Sequence, residues 1–163
     1  MNTIDTQAWI VRNAEAEQVQ DGEFSRITLL ADGEHTGGGL TVNRARLEVG
    51  SPGAPSHRHL HATETIFVID GSLDVLVGEE VSTLGAGDLV VLPPGTAHAF
   101  APTSGAYADM LAVYTPGQHR FEYYRLLERL YRGEVTLAEL QATSDLYDNH
   151  YVESPAWQAV HPW

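Results

Sequence analysis

The chain has 163 residues, no cysteine, and 22 acidic against 9 basic residues, which gives a net charge of −13. This length predicts one compact domain spanning 1–163, and the lack of cysteine excludes disulfides and thiolate metal sites. The negative charge repels phosphate backbones and anionic lipid surfaces, so we expect neither nucleic acid nor a membrane as a partner.

The N-terminal segment 1–8 is polar and lacks the basic and apolar regions of a secretion signal. No apolar run approaches the ~20 residues that cross a bilayer. We therefore expect a cytoplasmic protein.

Short apolar or alternating runs, separated by Gly, Pro and Asp, dominate residues 24–115 after one possible strand at 8–11. The runs lie at 26–30, 40–49, 65–69, 73–77, 88–92 and 107–114. Turn signals stand between them at Asp70-Gly71, Val77-Gly78 and Pro93-Pro94-Gly95. This spacing is typical of an antiparallel β-sandwich or β-barrel.

A helical period replaces the β pattern in a C-terminal tail at about 118–150. Apolar residues at helical spacing predict a helix over 119–132, with Gly133 as its C-terminal cap. Its stripe consists of Phe121, Tyr124, Leu127, Leu130 and Tyr131. Thr136 and Glu139 form a capping-box pattern that opens a second helix over 137–147. The stripe predicts packing against the barrel or against a partner subunit.

Three histidines stand within five residues, at His57, His59 and His61. His57 and His59 are two apart, so on a strand both imidazoles project from the same face. Glu64 begins the next β run, and His98 follows the Pro-Gly turn on a separate strand. Three imidazoles and one carboxylate form a donor set suited to iron(II), manganese, nickel, cobalt or zinc. The other four histidines, His35, His119, His150 and His161, are interpreted as surface or core residues.

These segments resemble the two motifs of the cupin superfamily, G-x5-H-x-H-x3,4-E-x6-G and G-x5-P-x-G-x2-H-x3-N. The first reads His57-Arg58-His59, four residues, Glu64, six residues, Gly71; the second reads Gly87, five residues, Pro93-Pro94-Gly95, two residues, His98. Two positions depart from the motifs: Ser51 stands where the first glycine is expected, and Pro102 stands in place of the closing Asn. Neither position carries a metal ligand in the family, so these departures concern the shape of the loops.

The resemblance covers 24–115 and implies a mainly all-β jelly-roll barrel with a C-terminal helical extension. It also implies one divalent metal ion per chain on His57, His59, Glu64 and His98. An alternative register pairs His59 with His61 and places Gly53 correctly, but it leaves only two residues before Glu64. We therefore assign His61 to the pocket or to an exposed loop.

The resemblance further implies a function, because a His3Glu set is similar to that of the small cupin dioxygenases, including quercetinase-like enzymes. We expect an oxidoreductase with Fe(II) favoured, acting on a small enolic, phenolic or aromatic molecule, with Glu64 as the catalytic base. A non-redox cyclase, lyase or isomerase with zinc or nickel is the second hypothesis. A cupin that binds a small molecule without turnover is the third.

Strand parity predicts the pocket lining. If Glu64 points inward, Ile66 and Val68 do so too, and if His98 points inward, so does Phe100. Near the end of the barrel two sets remain open: Tyr107, Asp109, Leu111 and Val113, or Met110 and Tyr114. We expect Tyr107 and Asp109 to line the pocket. Finally, small cupins usually pair, so we expect a homodimer with Trp9 or the stripe of 121–131 at the contact.

Overall fold

The computed structural model describes residues 8–162, which form ten strands and four α-helices. The strands are β1 (Gln18–Gln20), β2 (Ser25–Ala31), β3 (Thr41–Leu47), β4 (Ala54–Arg58), β5 (Thr63–Val77), β6 (Glu80–Gly85), β7 (Leu89–Leu92), β8 (His98–Pro102), β9 (Ala108–Thr115) and β10 (His150–Tyr151). The helices are α1 (Arg120–Tyr131), α2 (Leu137–Gln141), α3 (Ser144–Tyr147) and α4 (Pro155–Val160). The jelly-roll barrel with a C-terminal helical extension is confirmed.

Strand β5 belongs to both walls of the barrel. Its first part pairs with β7 and β9, and β9 continues through β3 and β2 to β1. Its second part pairs with β6 and β8, and β8 continues through β4 to β10. All these pairings are antiparallel, as the alternating runs predict.

The prediction of a turn at Asp70-Gly71 is wrong, because β5 continues through these residues without reversing. The register of β5 against β9 shifts between Val68 and Asp70, and Gly71 takes φ +82°. A bulge of this kind bends a strand and increases its twist. The strand can therefore leave one wall of the barrel and enter the other at this point.

Gly71 also lies too close to its neighbour strand for any side chain, since an added Cβ would overlap the carbonyl oxygen of Tyr107. Gly105 has a similar φ of +77° but no atom within 4 Å of such a Cβ. We expect Gly105→Ala to lower the free energy of unfolding by about 1–2 kcal/mol, the left-handed backbone penalty alone. Gly71→Ala should cost roughly 1–3 kcal/mol more, because it adds overpacking. Urea unfolding of both variants measures the difference, and equal losses would show that the close approach is unimportant.

Other elements also differ from the sequence predictions. Residues 8–11 form no strand; the Trp9 indole instead donates to the Leu30 carbonyl at 2.9 Å and stacks on His35. Strands β4 and β6 are rich in polar residues, so hydrophobic alternation does not reveal them. The helix expected over 137–147 is divided into α2 and α3, and α4 lies beyond the predicted tail.

One buried cluster fills the barrel, and a second joins the tail to it. One fills the barrel interior with residues that include Ile66, Val68 and Met110. The other packs the aromatic stripe of α1 against β1 and β2 of the same chain. The buried part of the stripe, which includes Phe121 and Tyr124, is therefore covered within the chain itself, whereas Tyr131 at its end is exposed.

Candidate metal centre and its cavity

Four side chains from three strands and a loop converge inside the barrel. His57 lies on β4 directly opposite His98, the first residue of β8, and Glu64 lies on β5 opposite Tyr114. His59 follows the end of β4. The ligand atoms of His57, His59, Glu64 and His98 all lie within 4.8 Å of one another, and all four residues are buried. The sequence predicted this group, and the structure brings all four together.

The outer nitrogen of each imidazole is held by a backbone carbonyl. The Nδ1 acceptors are Pro55 for His57 (2.7 Å), Asp148 for His59 (2.6 Å) and Thr96 for His98 (2.9 Å). A carbonyl oxygen can only accept, so each Nδ1 carries a proton. Each Nε2 therefore turns toward the centre of the cluster, as in imidazoles oriented for a metal.

The contacts to Glu64 indicate that a cation belongs in this cluster. His59 Nε2 lies 3.0 Å and His98 Nε2 lies 2.8 Å from Glu64 Oε2. With Nδ1 protonated, a neutral imidazole presents only a lone pair at Nε2, which repels the carboxylate oxygen. A proton on each Nε2, or one divalent metal ion among the four side chains, removes that repulsion. The donor set fits a divalent transition metal or zinc.

The charge states agree with this arrangement. Burial lowers the pKa of His57 well below its usual value, and the neighbouring His98 and His59 lower it further, so His57 stays neutral. Burial opposes ionisation of Glu64, but hydrogen bonds with His59 and His98 outweigh it and lower the pKa of the carboxyl well below its usual value. Burial likewise opposes protonation of His98, but the bond to Glu64 outweighs it and raises the pKa of His98.

Glu64 also has a partner on its second oxygen. The Tyr114 hydroxyl donates to Oε1 at 3.0 Å. The Tyr124 hydroxyl lies 3.1 Å from that of Tyr114 and 2.8 Å from Asn43 Oδ1, so it can donate to either. Burial raises the pKa of Tyr114 well above its usual value, so Tyr114 keeps the proton that it donates. The carboxylate is thereby held in one orientation.

A cavity of about 300 Å³ opens beside the cluster and reaches His57 and Tyr114. Aliphatic and aromatic side chains from the barrel and from the tail form most of its wall. They include Ile27, Ala45, Leu47, Phe100, Met110, Ala112, Leu127, Leu130 and Leu140. Such a wall suits a small, largely apolar molecule.

The pocket predictions have mixed outcomes. Phe100 lines the cavity, and Ile66 and Val68 point inward but lie in the barrel core. Of the two sets left open on β9, Met110 and Tyr114 line the cavity.

Tyr107, Asp109 and His61 lie outside this cavity, which corrects their assignment to the pocket. Asp109 pairs with Arg44 at 2.6 Å on the opposite face of β9, and the Tyr107 hydroxyl donates to exposed Asp70. The His61 side chain is exposed, and its backbone N–H donates to Asp148. A shift of one residue in strand register inverts the face of every side chain, which explains the error on β9.

Sequence reasoning missed the contributions of the tail. Arg120, Tyr123, Asn149 and Tyr151 line the cavity. Asp148 accepts bonds from the backbone of Leu60 and His61, and its carbonyl holds His59. The run of polar residues at 147–150 is the only sequence signal for these roles. The contacts of Asp148 join positions about ninety residues apart, so a local pattern cannot predict them.

Asp21 also lines the cavity, and burial raises the pKa of its carboxyl to about 6. In the unfolded chain the value is near 3.8, so the folded state binds this proton more tightly. Its contribution therefore favours folding at low pH and declines as the pH rises from about 4 to about 6. We expect Asp21→Asn to raise the free energy of unfolding by roughly 2–3 kcal/mol above pH 6 and by nothing below pH 4.

Urea unfolding from pH 4 to pH 8 tests the Asp21 prediction. Glu23→Gln is the matched control, because it removes an exposed carboxylate two residues away. A gain in Asp21→Asn that does not depend on pH would contradict the prediction.

The family comparison supports the fold and the site. Residues 43–114, from β3 to β9, match the Cupin_2 family model, described as a cupin domain. No curated protein sequence matches the chain. Within residues 8–162, no helix is long and apolar enough to cross a membrane.

Solved structures share the barrel at low sequence identity. KdgF from a Halomonas species is 16% identical with a TM-score of 0.62, covering 71% of this chain and 99% of its own. The nucleoside dehydratase Pac13 of Streptomyces is 20% identical with a TM-score of 0.54, covering 68% and 83%. The polyketide cyclase RemF from Streptomyces resistomycificus is 17% identical with a TM-score of 0.56, covering 66% and 79%.

The chain therefore has the cupin fold, and its residues 43–114 match the model of a cupin domain. Its buried His-His-Glu-His group is suited to hold one metal ion.

Proposed function

We propose that the chain is a mononuclear metal enzyme that uses dioxygen to oxidise a small enolic or phenolic molecule. The observation that carries the proposal is the buried His3Glu cluster at the end of an apolar cavity. His57, His59, Glu64 and His98 would hold the metal, which would supply a Lewis acid and, as Fe(II), a redox centre. Manganese, nickel, cobalt and zinc suit the same donors.

The protein's own side chains would prepare the substrate. The largely apolar cavity wall would place a flat apolar molecule against His57 and Tyr114. The Glu64 carboxylate is ionised. With the three Nε2 atoms holding the metal, it would be the group of the cluster left to accept a proton from a substrate hydroxyl. Tyr114 would hold Oε1 of that carboxylate while the proton moves. The substrate then becomes an enolate or phenolate, the form most easily oxidised.

A non-redox reaction is the second candidate. It is favoured by the similar folds of a polyketide cyclase and a nucleoside dehydratase, and by the contact between a neutral tyrosine hydroxyl and an ionised carboxylate. Glu64 would then act as a general base on a zinc- or nickel-loaded protein, with the Tyr114 hydroxyl holding its carboxylate.

One experiment separates the candidates. The protein is purified without chelators and its metal content is measured; it is then reconstituted with Fe(II) or with Zn(II) and offered a panel of enolic and phenolic compounds. Oxygen uptake that requires Fe(II) and a panel compound supports the dioxygenase. Conversion by the zinc form without oxygen uptake supports the cyclase or lyase, and binding without conversion by either form indicates a binding protein.

We also propose that the chain forms a homodimer through the outer face of β5 and β7. Phe67 and Leu89 stand opposite each other there, and Val91 and Ile69 extend the same exposed apolar face. Apolar patches on a sheet surface favour association. Sedimentation at micromolar concentration should give twice the monomer mass, and Leu89→Lys should give the monomer. A monomeric wild-type protein would contradict this proposal.

A further inference from the structure

Arg120 is a buried cation at the wall of the cavity. It is the first residue of α1, only 2% exposed, and its backbone N–H donates to Asp32 Oδ1 at 3.0 Å. Phe121 N–H donates to the other oxygen of the same carboxylate at 3.2 Å. These bonds fix the start of α1, so the Arg120 side chain is directed into the cavity from a rigid position.

The guanidinium has neutral partners only. Its acceptors are the Tyr147 carbonyl at 3.1 Å, Asn149 Oδ1 at 3.3 Å and the Tyr124 hydroxyl at 3.4 Å. Among residues 8–162 no carboxylate oxygen lies within 4.0 Å of the Arg120 guanidinium nitrogens. This includes the carboxylate of Asp21, which lines the same cavity. An arginine offers five N–H donors, so at least two remain for another acceptor.

Aromatic rings compensate for part of the lost hydration. The guanidinium carbon lies 4.4 Å from the centre of the Tyr114 ring and 4.9 Å from that of Tyr123. Cation–π contacts of this kind are favourable, but they recover less than the hydration that a buried cation loses. The position therefore favours an anion, and a planar carboxylate fits the fork of an arginine best.

The location of Arg120 relates this anion to the metal cluster. Tyr114 contacts Glu64 through its hydroxyl and Arg120 through its ring face. The cluster and the guanidinium are thus separated by about one aromatic ring, and both border the same cavity. We propose that Arg120 binds the carboxylate of the substrate, which is then a small aromatic or enolic acid. The inference rests on the proposed function for the view that the substrate occupies this cavity.

A purely structural role for Arg120 makes a different prediction. Its bonds to Tyr147 and Asn149 join the tail to the start of α1, so loss of the side chain would loosen the cavity for any ligand. Such loosening would weaken acidic and neutral ligands alike. The ratio of the two affinities therefore reports only on recognition of the negative charge.

The test measures the binding of benzoate and benzamide, which share shape and differ in charge, by calorimetry on metal-free protein, because a bound zinc ion would itself attract a carboxylate. Wild type should prefer benzoate by about tenfold or more. Arg120→Gln should remove this preference and Arg120→Lys should keep part of it. The control Arg125→Gln, which removes an α1 arginine that lies outside the cavity lining and pairs with Glu17 and Glu122, should keep all of it. Circular dichroism checks that each variant folds.

Equal binding of the two probes by wild type, or a preference that survives in Arg120→Gln, would overturn the proposal. If Arg120→Gln does not fold, wild type and Arg120→Lys decide the matter, since a preference that is equal in both would also overturn it. These readouts need no turnover. An Arg120-dependent preference in a protein that consumes no oxygen would leave the anion site in place and contradict the dioxygenase.

Discussion

Replacing His57 with alanine should abolish tight metal binding, whereas His61→Ala should leave the metal content unchanged. His57 contributes one of four buried donor atoms that lie within 4.8 Å of one another. Loss of an outer partner of a metal ligand already costs about 10–100-fold in affinity, so loss of a ligand should cost at least about 100-fold. His61 is exposed and lies outside the cluster. Metal per chain after dialysis, and zinc affinity against a competing chelator, measure the difference.

The pair of variants also tests the register of the His-x-His motif. Both substitutions remove one imidazole from the same short segment, so the His61 variant controls for effects on the loop. Loss of metal in His61→Ala with retention in His57→Ala would mean that the ligands are His59 and His61. Circular dichroism of both variants shows whether the barrel persists without the metal.

The spacing of the four candidate ligands could be predicted from the sequence because each lies on or beside a short local element. His57 and His59 share a face by strand parity, and His98 follows a Pro-Gly turn whose form is local. Glu64 could be predicted to face the same interior because it begins the adjacent β run. The resemblance to the cupin motifs then placed these local elements in one barrel.

The rest of the site depends on contacts between distant segments. The inward face of β9 is determined by its pairing with β3 and β5, and the pattern at 107–114 is compatible with either face. Arg120 and Asp148 reach the site only because the tail folds back over the barrel, and the helical period cannot show which surface α1 covers. Asp-Gly favours a turn as well as a bulge, so the local sequence predicts a turn at Gly71 where the strand has a bulge.

The second large effect concerns Glu64. In Glu64→Gln the side chain keeps its size but loses its charge and its capacity to accept a proton. Oε2 of the wild-type residue faces two imidazole nitrogens, and Oε1 accepts from Tyr114. We expect metal affinity to fall, because a neutral amide is a weaker donor than a carboxylate, while the three imidazoles still hold zinc or nickel at high metal concentration.

Turnover of the fully metallated Glu64→Gln protein distinguishes a ligand from a catalytic base. If Glu64 accepts the substrate proton, this protein should bind substrate with nearly unchanged affinity, yet its kcat should fall by about 100-fold or more, as general-base contributions do. Tyr114→Phe is the matched variant, since it keeps the carboxylate and removes only the hydroxyl bonded to Oε1. Its metal content should be normal, and its kcat should fall by about tenfold, because the base remains but is less firmly oriented. The measurement is steady-state kinetics at saturating metal, with metal content determined on the same samples. Undiminished turnover in the metallated Glu64→Gln protein would remove Glu64 from the mechanism and leave it only the role of a ligand.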